Sequence, residues 1–292
     1  MIIPENPLIY VIIVTLIIPL PGNIFIIVVN IQDYFKNRRL LLSDHLMIGL
    51  SVFNLLHELL DTVVFTSKFF EENTTYGYMY LNMCSVTFSS LLSIHFCLKI
   101  VNIHHWFYIG LQRRFSKLLP WPLMTVISGY FFLSLYSVLE IKPGCLLNTT
   151  SSDFSLNLSP RCSWSLLILM ICSGLCTVLC TVSALTILIS LLKHMKRIQE
   201  NTEGSRSPNM DAHIRAVKTI TVLLVANIVI FISLLWNNLL FTWNETTWTY
   251  LFNVLIPICH IFSCYSLIKG TKKLDMALAK ILQHCPFLTR RN

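Results

Sequence analysis

The chain has 292 residues, of which 54% are hydrophobic and 12% charged, with a net charge of +8 and a mean hydropathy of +0.66. Soluble globular domains carry about 25% charged residues, so an ordinary soluble domain is excluded. The positive charge sits in loops at the ends of apolar runs rather than on a basic domain face, which argues against a nucleic-acid partner.

An apolar run of about 20 residues crosses a hydrocarbon core of about 30 Å as a helix, and backbone groups in lipid must be satisfied within the segment. The first span is predicted near 8–31, preceded by Glu5 and followed by Lys36, Arg38 and Arg39. A cleavable leader would have a basic start and a shorter apolar core, so this run reads as an uncleaved anchor. The second span, near 46–67, is interrupted by two acids, Glu58 and Asp61. Further spans are expected near 79–103, 118–139, 164–192, 216–242 and 248–268, with a short basic tail over 269–292. The main polar interruption is Ser190–Lys218, set between stretches 162–192 and 219–244 that hold no Asp, Glu, Lys or Arg. The expected fold is an all-α membrane protein: one domain, residues 1–292, forming a seven-transmembrane helix bundle.

Lys and Arg set the orientation of such a bundle. Three lie in loop 33–45, four around loop 104–117 (Lys99, Arg113, Arg114, Lys117), six in loop 193–218 and six from Lys269 onward, so 19 of 22 share one side. The other side has Lys68, Lys142 and Arg161. This predicts an outside N-terminus and a cytoplasmic C-terminus. Four Asn-x-Ser/Thr acceptors, Asn73, Asn148, Asn157 and Asn244, all fall in loops assigned outside, where glycosylation occurs. Cys145 and Cys162 share the outer loop between spans 4 and 5. That compartment is oxidising, and a disulfide and two free thiols are both open readings.

Asn54, Glu58 and Asp61 fall at i, i+4 and i+7 on one face of span 2, extended by Ser51. Carboxylates inside a span are costly and face the bundle interior, where they serve a polar ligand, a cation or a proton. The competing reading is a buried polar network with Asn23 and Asn30 of span 1, which share a face. His57, His95, His104, His105 and His260 show no HExxH spacing, so neither metal nor another cofactor is expected. There is no Ser/His/Asp order and no phosphate loop, and nine glycines are few for a nucleotide site. The chain reads as no enzyme. Trp164, Trp243 and Trp248 fit the aromatic belt at a membrane surface.

Several segments lie at the inner ends of spans. Gly22-Asn23-x-Phe25-Ile26 precedes Asn30 in span 1, and Leu98-Lys99-Ile100-Val101-Asn102 closes span 3. Ser190-Leu191-x-x-His194 ends span 5. Gly204-Ser205-Arg206 and Ala212-His213-Ile214-Arg215-Ala216-Val217-Lys218 lead into span 6, and Leu267-Ile268-Lys269-Gly270 ends span 7. In order and spacing these resemble the bitter taste receptors, the taste receptor type 2 family of G-protein-coupled receptors. The chain departs from that pattern at Phe53-Asn54, where the family has Ser-Arg, at Ser263-Cys264, and at Thr271 and Asp275. It therefore reads as a divergent member.

The resemblance implies a plasma-membrane receptor that binds a small, bitter organic molecule in its outer half and activates a heterotrimeric G protein inside. By helical position and family analogy, the cavity would be lined by Asp61, Phe65, Met83, Thr87, Asn237, Phe241 and Asn253. Coupling would fall to Lys99, Arg114, His194, His213, Arg215 and Lys218, residues that also suit anionic membrane lipid. Two rivals stand beside it: a vomeronasal type 1-like pheromone receptor, and a small ion or solute transporter with Glu58 and Asp61 as an ion relay. The absence of inverted repeats weighs against the transporter. Oligomeric state is open.

Overall fold

The computed structural model describes residues 17–66, 71–101, 106–140, 160–201, 208–239 and 246–284. Among them are nine helices and no strand: α1 (Pro19–Asn37), α2 (Leu42–Thr66), α3 (Glu71–Ile100), α4 (Trp106–Leu118), α5 (Pro120–Glu140), α6 (Pro160–Asn201), α7 (Pro208–Leu239), α8 (Thr246–Gly270) and α9 (Lys272–His284).

Local chemistry sets several of these limits. α1 opens with Pro19 in its first turn, where a missing N–H costs nothing because that group would have no partner within the helix. It stops at Arg38, whose backbone turns left-handed at φ 53° while its N–H bonds Tyr34 O at 2.7 Å. The tail expected after span 7 holds a helix, because α8 gives way at Gly270 to α9 at an angle of 95°. The expected loop 104–117 likewise carries α4, fastened by the Tyr108 hydroxyl donating to Cys97 O at 2.9 Å. The third span begins earlier than expected, at Glu71, so the Asn73 acceptor stands on helical backbone. The fifth runs as one helix from Pro160 to Asn201, which puts Cys162 in its first turn.

α3 is the axis of the bundle. It packs on α2, α4, α5, α6 and α7, and every residue from Leu81 to Ser90 is buried. A helix surrounded in this way has no free polar face, which is why its sequence shows no clear apolar stripe. α1 and α7 flank α8, and α6 closes on α7. One core joins Ile26, Leu46, Leu50, Phe88, Leu92, Leu223 and Leu267 to Leu274 of α9. A second gathers Met79, Met83, Tyr130, Leu169 and Ile230, and a third Cys97, Ala184, Ile187 and Ile220.

Lipid offers no hydrophobic drive between helices, so close van der Waals approach has to hold them. Gly49 of α2 lies directly under the Phe88 ring of α3, leaving no room for a Cβ. Gly22 of α1 does the same for Cys264 of α8, where an added Cβ would stand 2.5 Å from Sγ.

The polarity is inverted relative to a soluble bundle. The outside carries Val28, Ile31, Phe132, Leu175, Val178, Val182 and Phe262, while Asn23, Asn30, Ser51, Asn54, Glu58, Asn82, Ser93, Asn227 and His260 are buried. Met79–Ile100 and Leu167–Ser190 are each long and apolar enough to cross a membrane.

Candidate functional site

Of the α2 stripe read from the sequence, Ser51, Asn54 and Glu58 are buried, as is His57 beside them. At its centre the Asn23 amide of α1 donates to Glu58 Oε1 at 3.2 Å and to its own helix at Pro19 O, 3.3 Å away. From α8, His260 Nδ1 stands 3.7 Å from the same Glu58 oxygen. The His260 ring meets His57 edge to face, with centroids 5.3 Å apart. One carboxylate thus joins three helices, α1, α2 and α8. Of the two asparagines expected in a polar network, Asn23 takes part. Asn30 turns back to donate to Ile26 O at 2.9 Å.

A second polar seam runs along α3. Ser85 donates to Asn54 Oδ1 at 2.6 Å, linking α3 to the α2 stripe. Thr87 donates to Met83 O at 2.8 Å and lies 3.4 Å from the Tyr130 hydroxyl of α5. Ser90 donates to Cys176 O at 2.9 Å, and Ser93 meets Cys180 Sγ at 3.3 Å, both on α6. The spacing 172, 176, 180 lays three α6 cysteines along one stripe, and the latter two meet the α3 serines.

Of the expected cavity residues, Met83 and Thr87 are buried in the core shared by α3, α5 and α6. Asp61 and Phe65 fall on α2, Asn237 on α7 and Asn253 on α8, but their side chains lie outside the described residues, as does Phe241 altogether. The acceptors Asn148, Asn157 and Asn244 and the thiol of Cys145 lie outside them too. Sequence reasoning weighed His57 and His260 only as metal ligands and missed their pairing with each other. The one available signal was the adjacency of His57 to Glu58 in an apolar span.

The opposite region of interest is the end carrying α4 and α9. There Lys99, Arg114, Arg215 and Lys218 are exposed, as are Lys117, Lys193 and Lys196. The side chains of His194 and His213 lie outside the described residues. Lys273 and Lys269 are engaged by acids. Lys273 Nζ contacts Asp33 at 2.8 Å and Asp44 at 3.2 Å, and Lys269 contacts Asp275 at 2.8 Å. The hydrogen bond from Lys273 holds Asp33 below the usual carboxylate value, and the one to Asp275 raises Lys269. Burial pushes the Tyr108 hydroxyl up to about 12, so it remains a donor to Cys97 O at any physiological pH. Between α7 and α8 the Thr219 hydroxyl lies 3.0 Å from both Arg215 O and Ser266 O, against Gly270.

An apolar exterior around a polar, hydrogen-bonded interior defines a polytopic helical membrane protein. The comparisons with known proteins narrow this class. The family described as taste receptor protein (TAS2R) matches residues 3–286. Taste receptor type 2 member 4 of Gorilla gorilla gorilla and of Homo sapiens are each 30% identical over 214 residues, 70% of this chain and 72% of the relative. Taste receptor type 2 member 105 of Mus musculus is 27% identical over 287 residues, 91% of this chain and 92% of the relative. The chain belongs to the taste receptor type 2 family, and is thereby a receptor and a multi-pass membrane protein.

Proposed function

We propose that the chain is a G-protein-coupled chemosensory receptor of the plasma membrane. It binds small, bitter organic molecules between the outer halves of its helices and signals to a heterotrimeric G protein at its basic end. The observation that carries this reading is the family match, which spans residues 3–286 rather than one motif. In this reading seven spans cross the bilayer within a single domain, with the N-terminus outside. The alternation of helix ends supports it: the end of α1, the start of α2, the end of α3, the start of α7 and the end of α8 share the α4–α9 side.

Asp61, Phe65, Met83, Thr87, Asn237, Phe241 and Asn253 line the ligand cavity in this proposal. Amide, hydroxyl and aromatic groups there suit amphipathic molecules, and Asp61 favours a cationic one. A ligand moves such a receptor only through different affinities for two arrangements. The α3 seam, which ties α2, α5 and α6 together through side-chain hydrogen bonds, is the element such a ligand would bias. At the basic end Lys99, Arg114, His194, His213, Arg215 and Lys218 receive the G protein, and the same charges attract anionic lipid.

The test is a panel of bitter compounds applied to cells that carry the receptor and a promiscuous G protein. A compound-dependent calcium rise, absent from cells without the receptor, supports the reading. Currents or solute uptake in cells lacking G proteins, abolished by Asp61→Asn, would replace it with the transporter.

A further inference from the structure

We propose that the groove between α6 and α7 at the basic end of the bundle is a binding site for one anionic phospholipid. An acyl chain lies in the groove, and Lys218 with Arg215 holds the headgroup phosphate. The floor is Ala184, Ile187 and Ile220, all buried, with Cys97 of α3 behind them. The rims are Leu185 and Leu188 of α6 and Thr221 of α7, all exposed, so the groove opens on the outside of the bundle. Its cavity measures about 90 Å³, against about 300–1,000 Å³ for the pockets of drug-sized ligands. An apolar slot of that size takes a stretch of hydrocarbon chain and excludes a whole organic agonist.

Charge decides what else the occupant carries. Lys193 is the first charged residue after the uncharged stretch of α6, and Lys218 is the last before that of α7. Both are exposed, so they mark a headgroup level directly beyond the groove. Arg215, Lys218, Thr221 and Val225 are exposed at i, i+3, i+6 and i+10, one stripe of α7 beside the slot. At a rise of about 1.5 Å per residue, Thr221 stands about 4.5 Å deeper than Lys218, and Leu224 about 9 Å deeper. Cation, hydroxyl and hydrocarbon thus follow in the order of the phosphate, ester and acyl chain of a glycerophospholipid. Among the described residues no carboxylate pairs with Arg215 or Lys218, whereas Lys269 and Lys273 are taken up by acids. Both cations are therefore open to charge-assisted bonds from a phosphate. A sterol would fill the slot and leave them unused. A second copy packed here by two-fold symmetry would set them against their own counterparts, like charge against like.

The test exposes the purified full-length receptor in detergent to trace phosphatidylserine with a diazirine in its acyl chain, and in parallel to phosphatidylcholine with the same chain. Dilution in detergent means that a chain crosslinks only where it is held. Phosphatidylserine should label the peptides around 184–188 and 220–224 at least about fivefold more than phosphatidylcholine, the worth of one basic residue toward an anionic lipid. Arg215→Gln with Lys218→Gln should bring both lipids to one level. Leu188→Trp or Thr221→Trp fills the slot from an exposed rim, keeps both cations, and should cut phosphatidylserine labelling as deeply; either serves if the other fails to express. Equal labelling by the two lipids, or none, overturns the proposal. Labelling that survives both tryptophan variants also overturns it, because the charges then hold lipid without the groove. Displacement by cholesterol but not by unlabelled phosphatidylserine gives the slot to a sterol and overturns it too. The site does not depend on signalling, so a receptor silent in the calcium test leaves it standing.

Discussion

Lys273 of α9 reaches Asp33 at the end of α1, its Nζ 2.8 Å from Oδ2, and the same ammonium lies 3.2 Å from Asp44 of α2. Asp33 sits below the ordinary value of 3.8, first because it accepts this hydrogen bond. A carboxyl whose pKa falls on folding contributes stability above its unfolded pKa and loses it as pH drops through the folded one. The fastening is therefore complete at neutral pH and is lost only as pH falls below 3.8 through the lower folded value. Lys269 behaves oppositely. Its pKa is raised by Asp275, so its contribution is present below 10.5 and is lost only as pH rises through the folded value. Both pairs hold across the physiological range.

Lys273→Ala should lower stability at pH 7 by about 1 kcal/mol or less, since the pair is partly solvated. It should also flatten the acid limb of the stability curve. Unfolding temperatures of the purified receptor between pH 3 and pH 7 check this. An acid limb equally steep in both proteins would show that the pair contributes nothing.

The Asn23–Glu58 contact yields a second prediction. Asn23→Ala removes a donor from a fully buried carboxylate, a loss of about 1–3 kcal/mol. Glu58→Gln keeps an oxygen facing Asn23 and should be milder. Because the two residues touch, their effects should be non-additive by about 0.5–3 kcal/mol in a double-mutant cycle. Thermal unfolding in detergent, with surface level in cells, gives the readout. Strict additivity would mean that Glu58 relies on other partners.

How much of this arrangement was legible beforehand follows from what each signal encodes. Apolar runs reveal spans because lipid thickness sets their length, and the stripe Ser51, Asn54, Glu58 revealed its buried face because helical period is local. The 95° bend at Gly270 and helix α4 went unread because both lie in short segments judged by charge rather than period. The His57–His260 pairing was invisible for another reason. It depends on which span neighbours which, and positions more than two hundred residues apart carry no local sign of that. Lys273 between Asp33 and Asp44 was hidden in the same way. The proposed cavity depends on Asp61, Phe65, Asn237, Phe241 and Asn253, where helical position and family analogy had to stand in for geometry.

Gly49 and Phe88 make a packing prediction. A methyl at position 49 would enter the space of the Phe88 ring, so Gly49→Ala should cost about 1–3 kcal/mol through overpacking between α2 and α3. Phe88→Leu added to Gly49→Ala should restore part of that loss by shortening the obstructing side chain. Surface expression and melting temperature of the single and double variants decide it. A double variant no better than Gly49→Ala alone would move the cause away from this contact.

Orientation is tested by the glycosylation acceptors. Asn148 and Asn157 lie in the segment assigned outside, so replacing both with Gln should reduce glycan mass, read as faster gel migration that glycosidase treatment abolishes. Unchanged mobility before and after glycosidase would count against the outside assignment of that segment.

Arg215 and Lys218 separate coupling from folding. Both are exposed on α7, while Thr219 next to them is buried and bonds across to α8. Exposed substitutions away from packed features change stability by about 0.5 kcal/mol or less, so Arg215→Ala with Lys218→Ala should leave surface level and melting temperature unchanged. If these charges receive the G protein, the agonist-driven calcium response should fall while the protein remains on the surface. Thr219→Val should behave differently. It removes the hydroxyl shared between Arg215 O and Ser266 O, loosens α7 from α8, and costs about 1 kcal/mol of stability. Normal signalling by the double charge variant would remove Arg215 and Lys218 from the coupling surface and leave them to contacts with anionic lipid.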